Sequence, residues 1–236
     1  MWVLTFIGAL VVILFLARLA VRLFVVFILR AAGKALSEQP GQQSSGSLAD
    51  EIHLVKIDAD WDEMMVRASV TALEELGFER VAAWKIPELN DILVYGFIHR
   101  EKNAYSCIYD RKGMVFEDFF CYFEGDTFNL TASNSMNAGV LDPMPGRERV
   151  SCPGKSVAET WAAFLEALGN RQPKTATPED LQPMFEYAYK SHVAWRKGRG
   201  VTAQEVKRVA ENQGREIDEK QAELATKKWN DENASS

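Results

Sequence analysis

Arg147 and Arg149 flank Glu148, and Lys155 follows closely, so positive charge gathers in the stretch 141–155. Groups of this kind bind anions. A guanidinium offers paired N–H donors to a carboxylate or phosphate, and a lysine adds a compact point charge. Three prolines and three glycines over 134–154 make the segment read as a long irregular loop. Such loops often carry function when a rigid scaffold holds their ends. Arg147, Arg149 and Lys155 are therefore the expected contact set for an anion or a partner protein, with a solvated connector as the alternative.

Other chemistry is harder to assemble. PGKS at 153–156 looks like the end of a phosphate-binding loop, but GxxxxGK[ST] needs glycine where Arg149 stands. Ser156 reads instead as a helix N-cap, with Glu159 completing a capping box. Glu117 and Asp118 are adjacent on a strand-like run and point to opposite faces, so they are not a facing carboxylate pair. Glu117 is expected to turn inward beside Arg100 or Lys85, as a structural pair or a ligand anchor. His99 ends a strand, with Tyr105 or Glu101 in reach across a hairpin, and reads as a surface histidine in a turn. Cys107, Cys121 and Cys152 form no CxxC, and His53, His99 and His192 lie far from them in sequence. A zinc site is not expected, and three reduced thiols are. No catalytic residue, cofactor or metal ligand is predicted.

The elements that position these residues follow from periodicity. Asp60 caps a helix in which Trp61, Met64, Met65, Ala68, Ala72 and Leu76 share a core-facing stripe, and Gly77 ends it. ERVAAWKI, DILVYGFIH, AYSCIYD, MVFEDFFCYF and TFNLTAS are short, β-branched and aromatic, and turn residues separate them. They predict a five-stranded antiparallel meander. With RKG as the turn, Cys107 lies opposite Glu117 and forms no disulfide with Cys121. Ser156 opens a helix that buries Trp161, Phe164, Leu165 and Leu168. Thr177, with Pro178 and Asp180, opens another that runs to about Lys197. Thr202 and Glu205 open a last helix over 202–228, with a thin apolar stripe through Val206, Val209, Ile217 and Leu224.

At the start of the chain, Trp2 to Ala17 holds no charge, and Arg18, Arg22, Arg30 and Lys34 follow. About 20 apolar residues span a bilayer, so residues 1–36 are expected to form a transmembrane and interfacial helix. Trp2, Arg18, Arg22 and Arg30 are its anchors to the lipid bilayer. By the positive-inside rule the N-terminus faces out, and the soluble part is cytoplasmic on a single-pass inner-membrane protein. Residues 37–50, rich in Ser, Gly and Gln, read as a flexible linker. Residues 51–171 form the α+β domain, and 172–236 a helical arm. Residues 37–171 hold 12 basic and 22 acidic groups, an excess that disfavours nucleic-acid binding. The expected class is thus α+β: an N-terminal transmembrane helix, a five-stranded antiparallel meander with helices on one face, and a C-terminal helical arm.

LGF (76–78), WKIPELND, YGFIHREKNAYSCIYD, FEGDTFNLTASN and PGRERVSCPGKSVAETW together resemble an uncharacterised bacterial protein family over about 70–168. The resemblance implies a shared fold and no named activity. Two function classes follow. The first is a membrane-anchored accessory or scaffold that engages another protein through 202–228, or a subunit of a membrane complex. The second is a small-ligand-binding or hydrolytic domain that uses the sheet face under loop 141–155. A deep pocket lined by Tyr95, Tyr105, Tyr109 and Arg147 would favour the second. A filled sheet face and an exposed stripe on 202–228 would favour the first.

Overall fold

Seven strands form one sheet in the computed structural model, which describes residues 49–125 and 129–233. They are β1 (Val55–Ile57), β2 (Glu79–Ile86), β3 (Ile92–His99), β4 (Ala104–Arg111), β5 (Met114–Tyr122), β6 (Asn129–Ser133) and β7 (Arg147–Ser151). Sheet order equals chain order. Each neighbouring pair from β1 to β6 is antiparallel, and β7 joins β6 in parallel. The five expected strands are β2 to β6, and the five-stranded antiparallel meander is corrected to a seven-stranded mixed sheet. The two additions sit at the edges and are short, so the local pattern did not reveal them. The β4–β5 hairpin closes through Lys112 (φ 52°) and Gly113 (φ 90°), a pair of left-handed residues that matches strand twist. This two-residue turn shifts the expected register by one, so Cys107 pairs with Asp118. All three cysteines are free and buried.

The helices are α1 (Arg67–Glu75), α2 (Val157–Leu168), α3 (Pro178–Arg199), α4 (Ala203–Asn212) and α5 (Glu219–Asn233). Capping boxes open α2 at Ser156–Glu159 and α4 at Thr202–Glu205, as their spacing predicts. α1 starts later than expected. Asp60 takes an amide from Asp62 in a turn, and Met64 and Met65 face solvent, so they fill no core. The single helix expected over 202–228 is split between α4 and α5. Of the expected stripe, Val206, Val209 and Ile217 are half-buried and only Leu224 is exposed.

Strand alternation gives the sheet two different faces. Tyr95, Phe97, Ile108, Phe119 and Leu130 point to α1 and α2, where Leu73, Trp161 and Phe164 close the layer. Trp84, Val94, Ile98, Tyr105 and Phe120 point the other way, towards Leu181 and Phe185 of α3. Helices thus cover both faces, not one. α3 comes close because β3 offers a glycine there. A Cβ at Gly96 would lie 2.5 Å from the Trp84 ring and 2.6 Å from Leu181. The described residues from both expected soluble segments belong to one unit.

The expected membrane helix and its anchors Trp2, Arg18, Arg22 and Arg30 lie outside the described residues. No helix among the described residues is long and apolar enough to cross a membrane. The longest, α3, has 22 residues but carries Glu179, Asp180, Glu186, Lys190 and Arg196 along its length. The single-pass inner-membrane assignment is corrected on that finding and is not carried further.

Candidate functional site

The α3-facing side of the sheet is not fully filled. Between β4–β7 and the middle of α3 lies a cavity of about 220 Å³. That is well above the ~10–15 Å³ that holds one water. Its floor is set by sheet register. Tyr122 pairs with Asn129, and Asn129 with Arg147, so these three form one cross-strand row. Phe120, Thr131 and Arg149 form the next, and Asp118, Ser133 and Ser151 the third. Residues at i and i+2 share a face, so the alternation of R-E-R puts both arginines on the α3 side, Arg147 half-buried and Arg149 exposed, while Glu148 between them also borders the opening. Glu148 reaches Arg171 at 2.5 Å. The roof is α3, which supplies Phe185, Ala188, Tyr189 and His192.

The electrostatics of this cavity are unusual. Arg147 donates from Nη2 to the Ala188 carbonyl at 3.0 Å. Among the described residues, neither Arg147 nor Arg149 has a carboxylate within salt-bridge distance. Burial lowers the pKa of both guanidiniums; Asp118 opposes that shift at Arg149, and Arg196 adds to it. Asp118 is pushed up to about 6 by burial, against the pull of the Ser133 hydroxyl, Arg149 and the Tyr109 hydroxyl. His192 is pushed down to about 4 by burial and then by Arg196, Arg147 and Arg149, so it is neutral at pH 7. Buried polar atoms nearly always find partners. Yet Asp118 Oδ1, Asn129 Oδ1 and Tyr189 Oη, all on residues lining the cavity, have none.

Of the three expected contact residues, Arg147 and Arg149 meet in this cavity. Lys155 does not: it is exposed in the turn before α2, where its amide binds the Cys152 carbonyl. Of the three tyrosines expected beside Arg147, only Tyr109 lines the cavity. Tyr95 faces α1 and α2, and the Tyr105 hydroxyl is held by the backbone of Thr177 at 2.9 Å. Glu117 is buried on the α2 side, accepting from Ser69 Oγ and Asn134 Nδ2, so neither expected partner reaches it. Arg100 pairs with Glu79 at 2.9 Å and Lys85 with Asp91 at 3.2 Å. His99 is a core residue stacked on Trp161 at 5.4 Å, not a surface one. Asp118, Asn129, Tyr189 and His192 were not singled out by sequence. The one available signal was the face that Asp118 shares with Phe120 and Tyr122.

The segment that presents Arg147 and Arg149 is fixed at its far end. Asp142 binds Arg199 and Arg208, its carbonyl accepts from Arg196, and its amide donates to Glu205 at 2.8 Å. Glu205 and Arg196 are both almost wholly buried and pair directly. Burial opposes ionisation of Glu205. Hydrogen bonds from Arg196, the Asp142 and Thr202 amides and Arg199 outweigh it and hold the carboxyl down at about 2.

What the arrangement offers is a half-apolar pocket bordered by two arginines, Arg147 tied to Ala188 and Arg149 exposed, with several unmet hydrogen-bonding groups. Comparison with protein-family models, with curated proteins and with solved structures returns no match for this chain.

Proposed function

We propose that this protein binds a small organic anion, a carboxylate or phosphate monoester on an apolar body, in the cavity between the sheet and α3. The observation that supports this most is the pair Arg147 and Arg149 lining one cavity, with no carboxylate in salt-bridge reach among the described residues. Arg147 is half-buried with a single backbone carbonyl as its partner among the described residues, and a bound anion offsets that partial desolvation with charge-assisted hydrogen bonds. Phe120, Tyr122 and Phe185 supply apolar and aromatic surface for the rest of the ligand. The interaction role expected for 202–228 has less support, because the stripe meant to carry it is divided and partly buried.

Titration calorimetry of the full-length protein with benzoate and with phenyl phosphate tests the proposal. Hydrogen bonds to charged groups contribute about 1.5–3 kcal/mol, so R147A and R149A are each expected to weaken binding at least about tenfold. The double variant is expected to bind neither probe. Failure of the wild-type protein to bind either probe, or undiminished binding by the double variant, overturns the proposal.

A further inference from the structure

We infer that the ligand of this cavity carries, besides its anionic head, a hydroxyl or amine that donates a hydrogen bond to Asp118. The inference rests on the anion-binding reading above and narrows it to hydroxy- or amino-substituted organic anions.

An anion site has no use for a carboxylate on its own wall, since like charges repel. Asp118 nevertheless lines the cavity, on the same sheet face as both arginines. Asp118 and Arg149 attract each other, but they are not within salt-bridge distance, so no direct ion pair between them occupies either group. The Asp118 Oδ1 accepts no hydrogen bond, although Ser133 and Tyr109 stand beside the carboxyl. Asn129 is 7% exposed, and its Oδ1 is also without a partner. Among the described residues, the cavity therefore combines two arginines without a carboxylate in salt-bridge reach, of which Arg147 gives one N–H to Ala188, with acceptor atoms that lack donors at Asp118 and Asn129. A ligand with only an anionic group satisfies the first set and leaves the second desolvated and unmet. A ligand that also holds an O–H or N–H satisfies both. Sites built this way reject the analogue that lacks the donor, because a buried polar group is then left unpaired.

Spacing is consistent with one small molecule reaching both sets. Asp118 lies two residues along β5 from Phe120, whose row ends on Arg149. Two residues of strand advance roughly 7 Å.

The test compares matched probes on the full-length protein by calorimetry: benzoate, 3-fluorobenzoate and the three hydroxybenzoate isomers. The wild-type protein is expected to bind at least one hydroxybenzoate about tenfold or more tighter than benzoate and 3-fluorobenzoate. D118A is expected to lose that preference while keeping or tightening its grip on benzoate, and D118N, which keeps an acceptor oxygen, to retain part of it. Circular dichroism and thermal melting check that each variant is folded. Equal wild-type affinity for benzoate and every hydroxybenzoate overturns the inference and leaves the anion site standing. A preference that survives in folded D118A also overturns it. Absence of binding by all five probes overturns the anion site itself, and the inference with it. Should D118A fail to fold, the wild-type comparison still decides.

Discussion

Asp118 and His192 face one cavity and respond to burial in opposite directions. The Asp118 carboxyl titrates at about 6 in the folded protein against 3.8 for a free side chain. Between those values the folded state holds the extra proton, so this residue's contribution falls as pH rises from about 4 to about 6. His192 titrates at about 4 against 6.5, so there the unfolded state holds the extra proton and stability grows as pH rises across that window. Arg149 on β7, Tyr109 on β4 and Glu117 on β5 act on Asp118, and Arg196 on α3, Arg147 and Arg149 on β7 and Glu205 on α4 act on His192. The wild-type protein is expected to show a nearly flat profile between pH 4.5 and 6, because the slopes oppose. D118N should leave a profile that climbs with pH, and H192Q one that declines. Urea unfolding at closely spaced pH values measures both, and parallel profiles in the two variants would contradict the assignment. At this scale the arginines were legible in sequence, because charge clustered inside an otherwise acidic segment is conspicuous. Asp118 and His192 were not. Nothing local to either says that a helix far along the chain will roof over that strand.

Among the elements, β7 and α3 make the site, and each was misread for a different reason. RERVS contains one apolar residue, Val150, between breaker-rich flanks, so it lacks the pattern of a strand. Its hydrogen bonds come from a parallel partner, β6, a non-local pairing that no short window contains. The limits of α3 were read well from Thr177 and Pro178, but not the face of the sheet it covers. That placement depends on Gly96, which opens a shallow seat for Leu181 against Trp84. G96A is therefore expected to force α3 away from the sheet, at a cost of about 1–3 kcal/mol, and to weaken anion binding together with stability. Chemical denaturation paired with benzoate titration checks this. A G96A protein of unchanged stability would show that the helix does not rest on that strand. The strands β2 to β6 were legible, because long aromatic and β-branched runs between turn residues leave little choice of structure.

Over the whole molecule, the sheet is sealed by apolar packing on one side and only partly roofed on the other. The roofed side is held by buried charge as well as by hydrocarbon. Arg196 and Glu205 join α3 to α4, and Asp142 ties the segment leading into β7 to the same pair. Removing one member of a buried ion pair strands the other, at about 3–5 kcal/mol. E205Q and deletion of 202–236 are both expected to fall in that range, and replacing Arg196 and Glu205 together by Met and Leu to recover most of the loss. Thermal and urea melts of the three proteins measure this, and a deletion as stable as the full chain would contradict it. The Glu205 carboxyl is held down at about 2 against 4.5 when free, so its contribution is complete above about 4.5 and is lost as pH falls towards 2. The acid limb of the stability profile should therefore flatten in E205Q. Glu205 read from sequence as a capping residue only, which it is; that it also meets two arginines depends on tertiary placement.

The most direct measurement is a crystal structure of the protein soaked in 3-bromobenzoate, with the bromine located by anomalous scattering. The expected result is a single strong peak between β5–β7 and α3, with the carboxylate in hydrogen-bond reach of Arg147 and Arg149. A cavity that stays unoccupied while the probe settles only on the outer surface would contradict a built anion site.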